Sequence, residues 1–284
     1  MARNEAEPAA TAGVEVRIHE SMQTMTSAEK RAARGLLANY PTLGFAPVAE
    51  FAKASEASPA TVLRFVARLG FKSYPDFQRA LREELEERTK SPLQRSAPQP
   101  AREEGHLLDR YFAQTSQNLH RTAAGMPVSE FESTCKRLAD LRHGVHLAGG
   151  RFTDWIAGYL EAHLRIIRPG IRRLDGRPAS RADQMLDIRP GDTAVLFDVR
   201  RYDDTLFETA CSLAARRVHV ILITDEWLSP ISRVAKTVLP CAISVDRTWD
   251  ANMTLFALSE AIIARTTELA WPSAEDRISA VETR

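Results

Sequence analysis

Arg64, Arg68 and Lys72 recur every fourth residue in the stretch SPATVLRFVARLGFKSY, residues 58–74 of a 284-residue chain. That spacing lines the three cations along one face of a helix and its exit. Guanidinium and ammonium groups so placed pair with phosphate oxygens or guanine edges. The small residues Ser58, Ala60 and Thr61 ahead of them allow a close approach to the floor of a major groove, and Ser73 lies just beyond. Between Ser58 and Arg82 five cations face one acid, Asp76, a local charge of +4 where the whole chain carries only +1. The partner this chemistry suits is double-stranded DNA. A solvated helix face with two arginines satisfies the same spacing; the compact helical surroundings and a short helix directly upstream favour DNA.

Two further groupings suit a small anion. In Gly149-Gly150-Arg151-Phe152-Thr153 the glycines let backbone approach a ligand, Arg151 supplies charge and Thr153 is placed to cap the next helix. The same two glycines also suit a tight strand-to-helix turn. In the segment 198–205, Arg200 and Arg201 offer forks for an acidic ligand, followed by Thr205, while Asp203 and Asp204 can cap a helix and pair with the arginines. Ser229-Pro230 reads as one more helix start.

Catalytic chemistry finds little support. Glu226 and His219 are the acid–base candidates near these loops, and His219 sits inside the apolar run VHVILIT. The histidines lack metal-ligand spacing, and Cys135, Cys211 and Cys241 lie far apart without a CxxC pair. With no paired carboxylates, Walker loop or GxSxG, neither an enzyme nor a cofactor or metal is expected.

Positioning these groups takes two kinds of element. Helical spacing covers a stretch from Ser27, read as an N-cap, to Tyr40, then short helices from about Pro47 and from Ser58, the latter stopped by Gly70, then one from about Tyr74 to Arg88. In the third helix Val62, Phe65, Val66 and Leu69 form the buried stripe. After two helices near 107–124 and 128–141 the pattern changes. Apolar runs at 145–149, 193–199 and 218–224, with weaker ones at 171–174 and 238–244, alternate with helices at 153–168, 203–216, 229–236 and 249–270. Alternation of this kind means βαβ units and a doubly wound parallel sheet. The expected organisation is a mobile arm 1–23, an all-α DNA-binding domain 24–88, a Pro-rich linker 89–106, an α/β domain 107–272 and a tail 273–284. Hydrophobic residues at 44% and charged residues at 26% are ordinary for a globular protein. No long apolar segment or signal-like start is seen, so the expected compartment is the cytoplasm, with no membrane partner.

The run S-x-A-T-V-x-R-F-x-x-x-L-G-F-K, Ser58 to Lys72, resembles the helix-turn-helix of the RpiR family of bacterial transcriptional regulators, and the flanking TSAEKRAARGLLANYP and Tyr74–Phe77 segments follow its pattern. The resemblance covers about residues 24–88. It implies a C-terminal sugar isomerase (SIS) domain, a homodimer or tetramer, operator DNA as partner, and a metabolite such as a sugar phosphate as effector. Two departures stand out. The family usually places Gly in the turn where this chain has Glu56. In the SIS loops Arg151, Arg201, Tyr202 and Asp204 stand where Gly, Ser and Thr usually cradle a phosphate. An acid held by guanidinium forks, and a filled pocket in an oligomerisation platform, are the two outcomes left open. A SIS-fold isomerase with a helical appendage is the enzymatic alternative.

Overall fold

Helices form the first unit and a parallel sheet the second: a computed structural model describes residues 13–89, 106–245 and 249–283, and the chain divides into compact units 1–90 and 91–284. Most of the expected linker 89–106, and residues 1–12 of the expected arm, lie outside the described residues.

The first unit consists of α1 (Val14–Ser21), α2 (Ser27–Ala38), α3 (Thr42–Phe45), α4 (Val48–Ala54), α5 (Pro59–Arg68) and α6 (Tyr74–Thr89). The expectation of a mobile arm to residue 23 is corrected over α1. Val14 and Ile18, one turn apart, are buried in the core with Ala32, Leu36, Phe65 and Phe77, and the Val14 N–H donates to the buried Glu84 carboxylate at 2.7 Å. The cap of α2 is Thr26 rather than Ser27. Its hydroxyl accepts from the Glu29 N–H, and the Glu29 side chain accepts from the Thr26 N–H, a reciprocal capping box.

In the second unit α7 (Leu107–Gly125) and α8 (Val128–Ala139) precede β1 (Val145–Gly149), α9 (Asp154–Ile167), β2 (Ile171–Arg173), α10 (Pro178–Leu186), β3 (Thr193–Asp198), α11 (Asp204–Ala215), β4 (His219–Asp225), β5 (Thr237–Cys241) and α12 (Met253–Glu282). The sheet order is β2-β1-β3-β4-β5, with every neighbouring pair parallel. Both faces are covered, so the strands are apolar on both sides. Val145, Leu147, Val195, Phe197, Ile221 and Ile223 pack with α8, α9 and α12. Alternate residues Ala148, Ala194, Leu196, Val220 and Leu222 pack with α11. The helix expected at 229–236 is only a 3-10 turn, Pro230–Arg233. The helix expected at 249–270 begins at Met253 and runs to Glu282 with Ala274 fully buried, so the expected tail 273–284 is largely the end of α12.

Among the described residues Arg168 is the bulkiest fully buried side chain. Its guanidinium donates to the carbonyls of Leu138, Asp140, His143 and Pro169 at 2.5–2.9 Å, tying the α8–β1 connection to the end of α9.

Candidate nucleic-acid interface and sheet-edge site

The two helices of the N-terminal motif, α4 and α5, end in the same way. After α4 the Ala57 N–H donates to Ala52 O at 2.9 Å and the Glu56 N–H to Lys53 O at 3.3 Å, with Glu56 at φ +51°. After α5 the Phe71 N–H donates to Val66 O at 3.3 Å and the Gly70 N–H to Ala67 O at 3.0 Å, with Gly70 at φ +88°. Both are Schellman motifs, which need a left-handed residue just past the helix. The second supplies glycine; the first holds glutamate there under strain.

Ser58 starts α5: its hydroxyl accepts from the Thr61 N–H at 3.2 Å, and Pro59 takes the first helical position. Val62, Phe65 and Val66 are buried, with Phe65 edge-on to Phe51 at 6.2 Å. Ser58, Ala60, Leu63, Arg64, Ala67 and Arg68 face solvent. Thr61 does not join them. It is only 4% exposed, because it lies one turn before Phe65 at the edge of the buried stripe. Its hydroxyl shares a hydrogen bond with Ser58 Oγ at 2.9 Å and accepts from the Arg64 guanidinium at 3.3 Å.

Arg68 is exposed but committed. Its Nε lies 3.3 Å from the buried Glu29 carboxylate, the acid of the α2 capping box. Burial works against the charge on Glu29, yet hydrogen bonds from Thr26 and the Arg68 guanidinium bring its pKa below the ordinary value. Ser73 caps α6, donating to Asp76 Oδ2 at 2.7 Å and accepting from the Asp76 N–H at 3.2 Å, and Arg79 pairs with that aspartate. Among the described residues, Arg64 and Lys72 have no carboxylate within ion-pairing distance. Leu63, 47% exposed at the centre of the outward face, was not anticipated, because nothing marks an apolar residue there as facing out.

In a sheet of order 2-1-3-4-5 the topological switch lies between β1 and β3, and ligands sit at the carboxyl ends there. The loops after Gly149 and Asp198 flank that point. The first is tight. A Cβ on Gly149 would lie 2.4 Å from the Asp154 nitrogen, which requires glycine. Thr153 is buried and does not cap α9 with its side chain. Its hydroxyl donates to Phe197 O at 2.7 Å and accepts from the Gly150 N–H at 3.0 Å. Arg151 is exposed.

The second loop separates its two arginines. Arg200 is buried; its guanidinium pairs with Asp250 and lies 4.1 Å over the Trp227 ring, and its N–H donates to Asp225. It holds the loop rather than facing a ligand. Arg201 is exposed at φ +65°, with its guanidinium 5.9 Å from the Phe152 ring centre and 5.5 Å from that of Trp249. Thr205 donates to the Asp203 carboxylate at 2.6 Å, and Asp203 caps α11 through the N–H groups of Thr205 and Leu206. The arginine pairing expected of Asp203 and Asp204 is not made. Ser229 is fully buried; its hydroxyl donates to Asp198 and accepts from the Ile231 N–H, which makes it a cap.

Beneath the loops lie the buried carboxyls of Asp198 and Asp225, ending β3 and β4. Burial, against hydrogen bonds from Ser229 and the Asp203 N–H, pushes Asp198 up to about 7. Asp225 accepts from Tyr202 Oη at 2.9 Å and the Trp227 N–H at 3.0 Å. Burial also raises the Glu226 pKa, with Arg121 3.4 Å away opposing. His219, at the opposite end of the sheet, bonds Thr237 Oγ1 at 3.2 Å, and burial lowers it to about 4.

A helix-turn-helix unit followed by a doubly wound unit with these loop positions is the layout of a DNA-binding protein fused to a sugar-isomerase fold. The rpiR-family helix-turn-helix domain matches residues 12–88, and the SIS domain matches residues 141–265. The chain therefore joins an rpiR-family helix-turn-helix domain to a SIS domain. The sugar isomerase domain of an RpiR transcription factor from Sphaerobacter thermophilus aligns at TM-score 0.58 and 20% identity, over 63% of this chain and 100% of that one. The Vibrio vulnificus NanR protein complexed with ManNAc-6P aligns at TM-score 0.54 and 18% identity, over 95% and 97%. No curated protein sequence matches the chain. No helix among the described residues is long and apolar enough to cross a membrane.

Proposed function

We propose that this regulator binds operator DNA as a homodimer or tetramer through α5, and that its SIS unit senses a small anionic metabolite without turning it over. The observation that carries the DNA reading is the outward face of α5. Ala60, Leu63 and Ala67 surround an Arg64 that lacks a carboxylate partner among the described residues, and Lys72 stands just past the left-handed exit. The contact set is narrower than the sequence implied. Ser58 and Ser73 are caps that present backbone to phosphate, Thr61 orients Arg64, and Arg68 braces the helix against Glu29.

Association is supported by α7, where Leu108, Phe112 and Leu119 are exposed along one face, beside an apolar groove of about 480 Å³ lined by Leu119, Met126, Phe131 and Leu258. A regulator reading two half-sites needs such a contact. Against an isomerase, Asp198 and Glu226 are buried and engaged by Ser229 and by Arg121 with the Ile243 N–H, and among the described residues no acid–base pair faces the loops.

The test is a salt-dependent binding isotherm with DNA from upstream of the gene. Arg64→Ala is expected to weaken binding by about 1–3 kcal/mol. Unchanged affinity and unchanged salt slope would mean that α5 is not the reading helix.

A further inference from the structure

The hydroxyls that a phosphate cradle uses are spent inside the protein at the sheet-edge loops. Thr153 bonds Phe197 O, Thr205 bonds Asp203, and Ser229 bonds Asp198. Side chains crowd the same place. A Cβ on Gly150 would lie 3.6 Å from Asp198 Oδ1 and 3.8 Å from the Asp203 Cβ. A phosphate seated at Gly150 meets these two side chains there.

Outside that point the surface has a different character. Phe152 and Trp249 meet edge to face with centres 5.8 Å apart, yet are 45% and 55% exposed. The guanidinium groups of Arg151 and Arg201 lie 5.2 Å and 5.9 Å from the centre of the same Phe152 ring. Neither has a carboxylate within ion-pairing distance among the described residues. Two like charges held against one ring repel each other, and an anion between them removes that repulsion. Arg201 holds its position from a left-handed backbone that disfavours side chains such as arginine, and strain of this kind collects at functional sites.

We propose that this edge of the sheet binds a carboxylic acid with an aromatic body, its carboxylate held by the Arg151 and Arg201 forks and its ring stacked in the wedge of Phe152 and Trp249. The inference rests on the reading of the SIS unit as a metabolite sensor and narrows the class of metabolite. Guanidinium forks match a carboxylate in two parallel hydrogen bonds, and exposed ring faces suit a flat partner.

Calorimetric titration of the full chain tests this with indole-3-acetate and benzoate as probes, and with indole, acetate and fructose 6-phosphate as comparisons. The expected result is saturable binding of the aromatic acids. Indole, which lacks the carboxylate, and acetate, which lacks the ring, bind at least about tenfold more weakly, as the loss of a charge-assisted hydrogen bond or of a buried, stacked ring implies. Arg201→Gly suits the φ at that position and is expected to keep the fold while weakening the acids by about tenfold or more. Trp249→Leu is expected to act likewise. Tighter binding of fructose 6-phosphate than of either acid overturns the aromatic class and leaves the sensor reading standing. No binding by any probe overturns the aromatic-acid site. Acid binding that Arg201→Gly leaves unchanged overturns the site, as does a change in oligomeric state on Arg201→Gly or Trp249→Leu without ligand, which assigns the patch to contact between copies.

Discussion

Replacing Glu56 with glycine should make the DNA-binding unit more stable. Glu56 holds φ +51° in the Schellman turn between α4 and α5. The left-handed region costs an L-residue about 1–2 kcal/mol. Glycine escapes that strain but loses more freedom on folding, about 0.5–1 kcal/mol. The difference favours Glu56→Gly by about 0.5–1 kcal/mol. Nothing visible offsets it: the Arg31 guanidinium bonds the Glu56 carbonyl at 3.1 Å, which glycine keeps, and the glutamate side chain makes no hydrogen bond or ion pair among the described residues. For a unit of this size the gain corresponds to a melting shift of about 2–8 °C. All four tryptophans, Trp155, Trp227, Trp249 and Trp271, lie in the second unit. Circular dichroism at 222 nm therefore follows both units, while tryptophan emission follows the second alone. The expected result is an upward shift in the ellipticity transition that tryptophan emission does not share. An unchanged or lowered transition would refute the claim that strain at position 56 is relieved by glycine. The converse change, Gly70→Ala after α5, should destabilise by about 1 kcal/mol.

Arg68→Ala should cost more in stability than in DNA affinity, since it strands the buried Glu29 carboxylate; Arg64→Ala should do the reverse, measured by paired melts and binding isotherms. Asp198, raised to about 7 in the folded protein against about 4 when unfolded, holds its proton in the native state over that interval. Stability is then fully present below pH 4 from this group and falls as pH rises to 7, at up to about 1.4 kcal/mol per pH unit and on the order of 4 kcal/mol in all. Asp198→Asn should flatten that slope in denaturant titrations at pH 5 and 8. Arg168→Met leaves buried carbonyls without a donor and should destabilise the second unit by about 3 kcal/mol or more, read from tryptophan emission.

The alternation of helices and apolar runs was legible because burial on both sheet faces leaves a continuous signal. The runs expected at 145–149, 193–199 and 218–224 differ from β1, β3 and β4 by a residue at most. Elements held by distant contacts were not legible. In α1 Val14 and Ile18 make too short a stripe to read, and the helix depends on Glu84, seventy positions away. The polar pattern of α10 hid a helix whose only sequence mark is Pro178 at its start. The last helix was expected to end at 270, where α12 continues to Glu282. At the sites, residue types announced charge but not its partners. Arg64 and Arg68 share one spacing, and only the fold assigns Arg68 to Glu29; Arg200 and Arg201 are neighbours, and only the fold buries one and exposes the other. Trp249 was expected at the start of a helix and lies instead in the approach to α12, against Phe152.

The Arg200–Asp250 pair has a mechanical consequence. Asp250 stands just ahead of Met253, where α12 begins, and Arg200 belongs to the loop that carries Arg201. The loop and the helix are therefore pinned together at one end of an element 30 residues long, about 45 Å at 1.5 Å per residue. A tilt of about 5° at that end sweeps the far end through about 4 Å. The pin ties the loop that carries Arg201 to the longest helix among the described residues.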